Sequence, residues 1–237
     1  MTLKNMTVLG AVMAMGIGST VMADFTVTHD DVGLSVLGSN LDPILGTGIS
    51  NANFVHGSFT DAMDPTNNFE MGLKAHGRFT GDLPNTGSTY FAETGTSVST
   101  GGLVGSKWNY TFVMDLGVKT IADYQIDLMV DFDPAAGVED FVNVDITAFA
   151  IANALGGSSF LGSSENLDFD FWTLLLGAPP FDPNATGEYE IKLSVHALTG
   201  EPLGEVSNTV VVVPLPSAAL AGLGMLGGLG AYRRIRR

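Results

Sequence analysis

Carboxylates are the residues of this chain whose spacing offers chemistry. Asp131-x-Asp133-Pro134 and Asp168-x-Asp170 each set two acids two positions apart, which in an extended chain puts both on one strand face. Calcium takes carboxylate and carbonyl oxygens, and weak sites suffice where the ion is millimolar. Asp131 with Asp133, and Asp168 with Asp170, are therefore the candidate metal ligands. Asp64-Pro65 and Asp182-Pro183 add acids at turns, where main-chain carbonyls are also free. The competing reading is plain: exposed Asp keeps a strand surface soluble, and Asp-Pro starts turns. No D-x-[DN]-x-[DN]-G loop is present, and beyond calcium no cofactor is indicated.

Other chemistries find less footing. Two carboxylates flanking a sugar would serve glycoside hydrolysis, yet no acid is marked out from its neighbours by the sequence. His29, His56, His76 and His196 are scattered without H-E-x-x-H or H-x-H spacing, and no G-x-S-x-G elbow occurs. Cysteine is absent, which excludes thiolate chemistry, cysteine metal sites and disulfides. The chain reads as non-enzymatic. Tyr90, Phe91, Trp108, Tyr110, Phe171 and Trp172 could stack on sugar rings, although aromatics at period two are more often core. A carbohydrate-binding or calcium-dependent adhesive module, with extracellular polysaccharide as partner, is the alternative expectation. A secreted polysaccharide hydrolase is the second alternative.

The elements that must position these residues read as strands. Trp108, Tyr110, Phe112, Met114 and Leu116 alternate with Asn109, Thr111 and Asp115. Tyr124, Ile126, Leu128, Val130 and Phe132 alternate with Gln125, Asp127, Asp131 and Asp133. Such period-two runs predict half-buried antiparallel strands joined by a hairpin-sized connection at Gly117–Asp123. Phe69 to Ala75, Phe141 to Ala152, Asn166 to Phe171, Tyr189 to Val195 and Glu205 to Val213 continue the pattern, broken by Gly- and Pro-rich turns. No helix longer than two turns is expected. The expected fold is all-β, an antiparallel β-sandwich of jelly-roll or immunoglobulin-like kind over residues 24–213.

Charge narrows the partners. All 25 acidic residues lie between Asp24 and Val213, against Lys74, Arg78, Lys107, Lys119 and Lys192 alone. So acidic a body repels nucleic acid, which is excluded as a partner.

The two ends read as addresses. Residues 1–23 form an expected signal peptide: Lys4, an apolar run from Met6 to Ile17, and a Val21-Met22-Ala23 site cleaved between Ala23 and Asp24. At the other end, Val213-Pro214-Leu215-Pro216 leads into an uncharged Gly/Ala/Leu run at 217–232, closed by Arg233, Arg234, Arg236 and Arg237. As a helix the run spans roughly 24 Å at 1.5 Å per residue, a short membrane helix. Its arginines form a basic stop that favours the cytoplasmic side.

That order of parts at 214–237 resembles the PEP-CTERM sorting signal, with Leu215 in place of the name-giving glutamate. Signals of this kind also end some ice-binding proteins, although Thr94, Thr96 and Thr100 are too irregular for an ice-facing ladder. The resemblance implies an exosortase-type membrane protease as partner, acting near Val213-Pro214-Leu215-Pro216. It further implies an exported, non-enzymatic cell-surface or extracellular-matrix protein, transiently membrane-anchored and then released. The segments Leu128–Pro134, Ser164–Phe169 and Phe181–Tyr189 are similar to stretches of other proteins carrying such tails.

Overall fold

A computed structural model describes residues 26–30, 53–138 and 140–214 of the chain. Fourteen strands are present among them: β1 (Thr26–Asp30), β2 (Phe54–Thr60), β3 (Asn68–Gly77), β4 (Gly81–Asp82), β5 (Asn85–Thr86), β6 (Thr89–Glu93), β7 (Thr96–Val98), β8 (Val104–Ser106), β9 (Trp108–Asp115), β10 (Tyr124–Asp131), β11 (Phe141–Asp145), β12 (Phe160–Glu165), β13 (Gly187–Ala197) and β14 (Pro202–Val213). Two α-helices of seven residues each join them, α1 (Ile146–Ala152) and α2 (Asp170–Leu176).

The first sheet runs β1-β2-β3-β9-β12, with β4 paired to β3. The second runs β11-β10-β13-β14-β6-β5, and β7 with β8 makes a separate ribbon. Period-two alternation explains most of these strands. Phe69, Met71, Leu73 and Ala75 of β3 are buried, as are Ile126, Leu128 and Val130 of β10 and Tyr189, Ile191, Leu193 and Val195 of β13. Side chains from both sheets merge into one core. Phe59 marks the contact between them. A Cβ added at Gly57 of β2 would lie 2.5 Å from its ring, and so would one at Gly204 of β14. Only glycine lets the ring lie between these two backbones.

The expectation of an all-β, wholly antiparallel sandwich is corrected on three points. β14 pairs with β6 in parallel, from Thr209 opposite Thr89 to Val213 opposite Glu93. Two helices interrupt the strands. The sheets are open, with no strand among the described residues pairing from one to the other. The Gly117–Asp123 connection is likewise no hairpin, because β9 belongs to the first sheet and β10 to the second.

Local chemistry explains both helices. The expected strand Phe141–Ala152 stops at Asp145, whose carboxylate accepts from Ala148 N at 2.7 Å and caps α1. Ile146 and Ala150, four apart, form its buried face. In α2 only Trp172 is buried, and the turn ends at Gly177 in the left-handed region, φ 71°. Asp170 stands in its first turn, where the helix dipole favours an acid.

The expected transmembrane helix, and the exported, membrane-anchored localisation built on it, is corrected as well. No helix among the described residues is long and apolar enough to cross a membrane. The residues 217–232 that carried that expectation, the basic stop Arg233, Arg234, Arg236 and Arg237, and the signal peptide with Ala23 and Asp24 lie outside the described residues.

Candidate functional site

The two acid pairs occupy different settings in the structure. Asp131, at the end of β10, is buried, and its Oδ1 accepts from the main-chain N–H of Asp133 at 2.9 Å and of Asp140 at 3.0 Å. Asp133 Oδ1 accepts from Ala135 N at 2.8 Å. Both carboxylates thus organise the loop that follows β10. Asp168 and Asp170 do not share a strand face: Asp168 stands in the turn after β12, Asp170 at the start of α2. Burial pushes Asp168 up, Arg78 opposes this, and Asp170 and Asp182 add to the rise. Among the described residues no three His, Asp or Glu side chains are placed to hold a metal.

The sugar-stacking platform dissolves for a similar reason. Tyr90, Trp108, Tyr110 and Trp172 are buried in the core, while Phe91 on β6 and Phe171 on α2 reach the surface from different elements. Trp108 packs edge-on to Phe181, with ring centroids 6.1 Å apart, and Trp172 against Phe132 at 5.4 Å.

His76 shows a contact that the sequence did not reveal. Its Nε2 lies 3.0 Å from Thr111 Oγ1 and 3.1 Å from Ser164 Oγ, and its Nδ1 lies 3.3 Å from the carbonyl oxygen of Gly77. β3, β9 and β12 are neighbours, so residues far apart in sequence meet on one sheet face. With Nδ1–H on the carbonyl, Nε2 accepts from both hydroxyls. Burial holds the ring at about 4, well below 6.5; the Gly77 bond and Asp82 oppose that shift and Lys74 reinforces it. A nucleophile is activated by a base dedicated to it and oriented by a third group. Here two hydroxyls share the one ring nitrogen, and a main-chain carbonyl lies at the other.

Two exposed features among the described residues bear on a partner. One is the end of β14. Val213 is the last ladder residue, 38% exposed, and Pro214 follows it at the surface. Leu215 and Pro216 lie outside the described residues. The other is a cleft of about 290 Å³ where the two sheets stand open, between edge strands β12 and β11. Phe112 and Leu161 line one wall, Leu128 and Val144 the other, the buried Trp172 of α2 stands behind them, and the exposed Phe149 of α1 and Leu175 of α2 flank the mouth. The polar residues of this lining are Tyr110, Ser163 and Glu165; the Tyr110 hydroxyl is buried, and Ser163 Oγ donates to Glu165 Oε1 at 2.5 Å. Tyr110 and Glu165 are cross-strand partners, so their side chains leave the same face. Periodicity could assign Tyr110 to the core but not pair it with Glu165, because that pairing depends on the β9–β12 register.

No protein-family model, no curated protein and no solved structure matches this chain.

Proposed function

We propose that this chain is a non-enzymatic structural protein cut by an exosortase-type protease at Val213-Pro214-Leu215-Pro216. The reading is supported by the order of parts in the tail, a Pro-Leu-Pro element, an uncharged run and four arginines. The observation that carries it is the junction at the end of β14. That strand is clamped on both sides, by β13 along almost its whole length and by β6 from Thr209 to Val213. Proline has no N–H to offer a ladder, and the ladder ends at Val213, the residue before Pro214. An exposed Pro214 directly after the end of the ladder supports this reading.

Proteases take extended, accessible backbone, and a residue held in a ladder is protected from them. The bond cut accordingly lies after Val213, leaving the sheet intact. The test is intact mass of the full chain produced with and without an exosortase-type protease. Wild type loses the residues that follow the cut bond only when the protease is present. The doubly substituted Pro214→Ala, Pro216→Ala chain stays full length in both cases. Equal masses for wild type in the two cultures, or cutting upstream of Val213, would overturn the proposal.

A further inference from the structure

The outer mouth of the cleft carries an inference that does not depend on the cut. Phe149 of α1, Leu155 just after it, and Leu175 and Leu176 of α2 line this mouth, and all four are exposed. Leu174 and Leu175 are exposed to 77% and 79%. Large apolar side chains gathered at one opening, from two separate helices, mark a surface built to be covered.

Three observations name the occupant. The first is where the chain leaves the fold. Val212 of β14 stands opposite Gly187 of β13, and Glu188 N donates to the Pro134 carbonyl at 3.2 Å. Pro134 follows Phe132 by two positions, and the Phe132 ring lies 5.4 Å from Trp172 of α2. The ladder therefore ends at the end of the domain that carries α2. The second is reach. From Pro214 to Ala221 alone, an extended chain covers roughly 23 Å at about 3.3 Å per residue. The third is charge. Burial first, then Asp170 and Asp182 close by, push the Asp168 carboxyl up against the pull of Arg78, so three acids gather near the start of α2. Residues 214–237 hold four arginines and no acid, whereas a second copy would bring another acidic body against this one.

We infer that the mouth between α1 and α2 holds the chain's own uncharged run 217–232, with the arginines that follow it drawn to the acids beside α2. Two apolar surfaces then leave water together, and the covalent link supplies the run at an effective concentration on the order of millimolar. The cut proposed after Val213 would uncover the mouth, but the docking stands whether or not the chain is cut.

The chain has no cysteine, so introduced pairs report proximity without background. Ala219→Cys, Ala221→Cys and Ala231→Cys are each combined, in the full chain, with Leu175→Cys or with Val138→Cys as reference. Val138 is 50% exposed and lines a hollow that reaches Thr209, so it stands beside the strand from which the run departs. Under mild oxidation, at least one of the three is expected to join Leu175→Cys within a monomer at least tenfold faster than it joins Val138→Cys. Adding Phe149→Asp, at another exposed position of the mouth, should slow that closure about tenfold while the thermal melt stays as before. Equal rates at the two sites, as a run held in solvent or in a membrane would give, overturn the inference. So does closure indifferent to Phe149→Asp. Disulfide-linked dimers in place of closed monomers overturn it too and assign the mouth to a second copy. No protease enters these readings, so they fail or succeed separately from the cut.

Discussion

His76 shows how one buried side chain makes the whole domain sensitive to pH. The ring is neutral when folded and held near 4 by burial, whereas in the unfolded chain it titrates near 6.5. A base whose folded pKa lies below its unfolded one contributes stability fully above pH 6.5. Between 6.5 and 4 the unfolded state binds the extra proton, so stability falls as pH falls through that window. At 1.36 kcal/mol per pKa unit the loss is on the order of 3 kcal/mol. Urea melts at pH 7, 6 and 5 should show it. In His76→Gln, whose amide can still meet Thr111 and Ser164, the decline over that window should be much shallower. An identical decline in both proteins would mean that other groups cause it.

Asn166 plays a comparable part at the scale of elements. It follows β12 and joins three pieces of the fold. Its Oδ1 accepts from Ser106 N at 3.0 Å and Asp168 N at 3.0 Å; its Nδ2 donates to Trp108 O at 2.8 Å and Asn109 Oδ1 at 2.6 Å. Its own carbonyl accepts from Trp172 Nε1 at 3.1 Å, which fixes α2. Asn166→Ala leaves several buried donors and acceptors unmade at once and should destabilise the domain by about 3 kcal/mol in urea melts. A loss below 1 kcal/mol would show that water replaces the amide. Alternation made β3, β9, β10 and β13 legible in the sequence, because each has one apolar face turned to the core. It failed at 146–152 and 170–176. There, Phe149 beside Ile151 and Phe169 beside Phe171 mimic period two, while a cap at Asp145 and a single buried Trp172 decide for helix. The candidate site was legible only in part. The Pro-Leu-Pro element is contiguous in sequence, but Tyr110 and Glu165 meet through pairing, which a single chain read in order does not display.

Across the whole molecule, the parallel pair β6–β14 joins residues 120 positions apart at Thr89 and Thr209. β14 also partners β13 and lies against β2 and β3, so it holds the second sheet and the shared core together. A chain ending at Glu201 lacks this strand, exposes β6 and β13 as raw edges, and should lose its cooperative thermal transition in circular dichroism. A transition near the wild-type temperature would show that β14 is dispensable. The same pairing also governs timing. Strand β6 is made early but must wait for its neighbour until residues 202–213 have been synthesised. Closing so long a loop is entropically expensive before any contact rewards it, and topologies rich in such pairings fold in milliseconds to seconds. The strand that ends this wait is the one that runs into Pro214, so whatever follows Val213 is joined to a finished domain at the moment folding is complete.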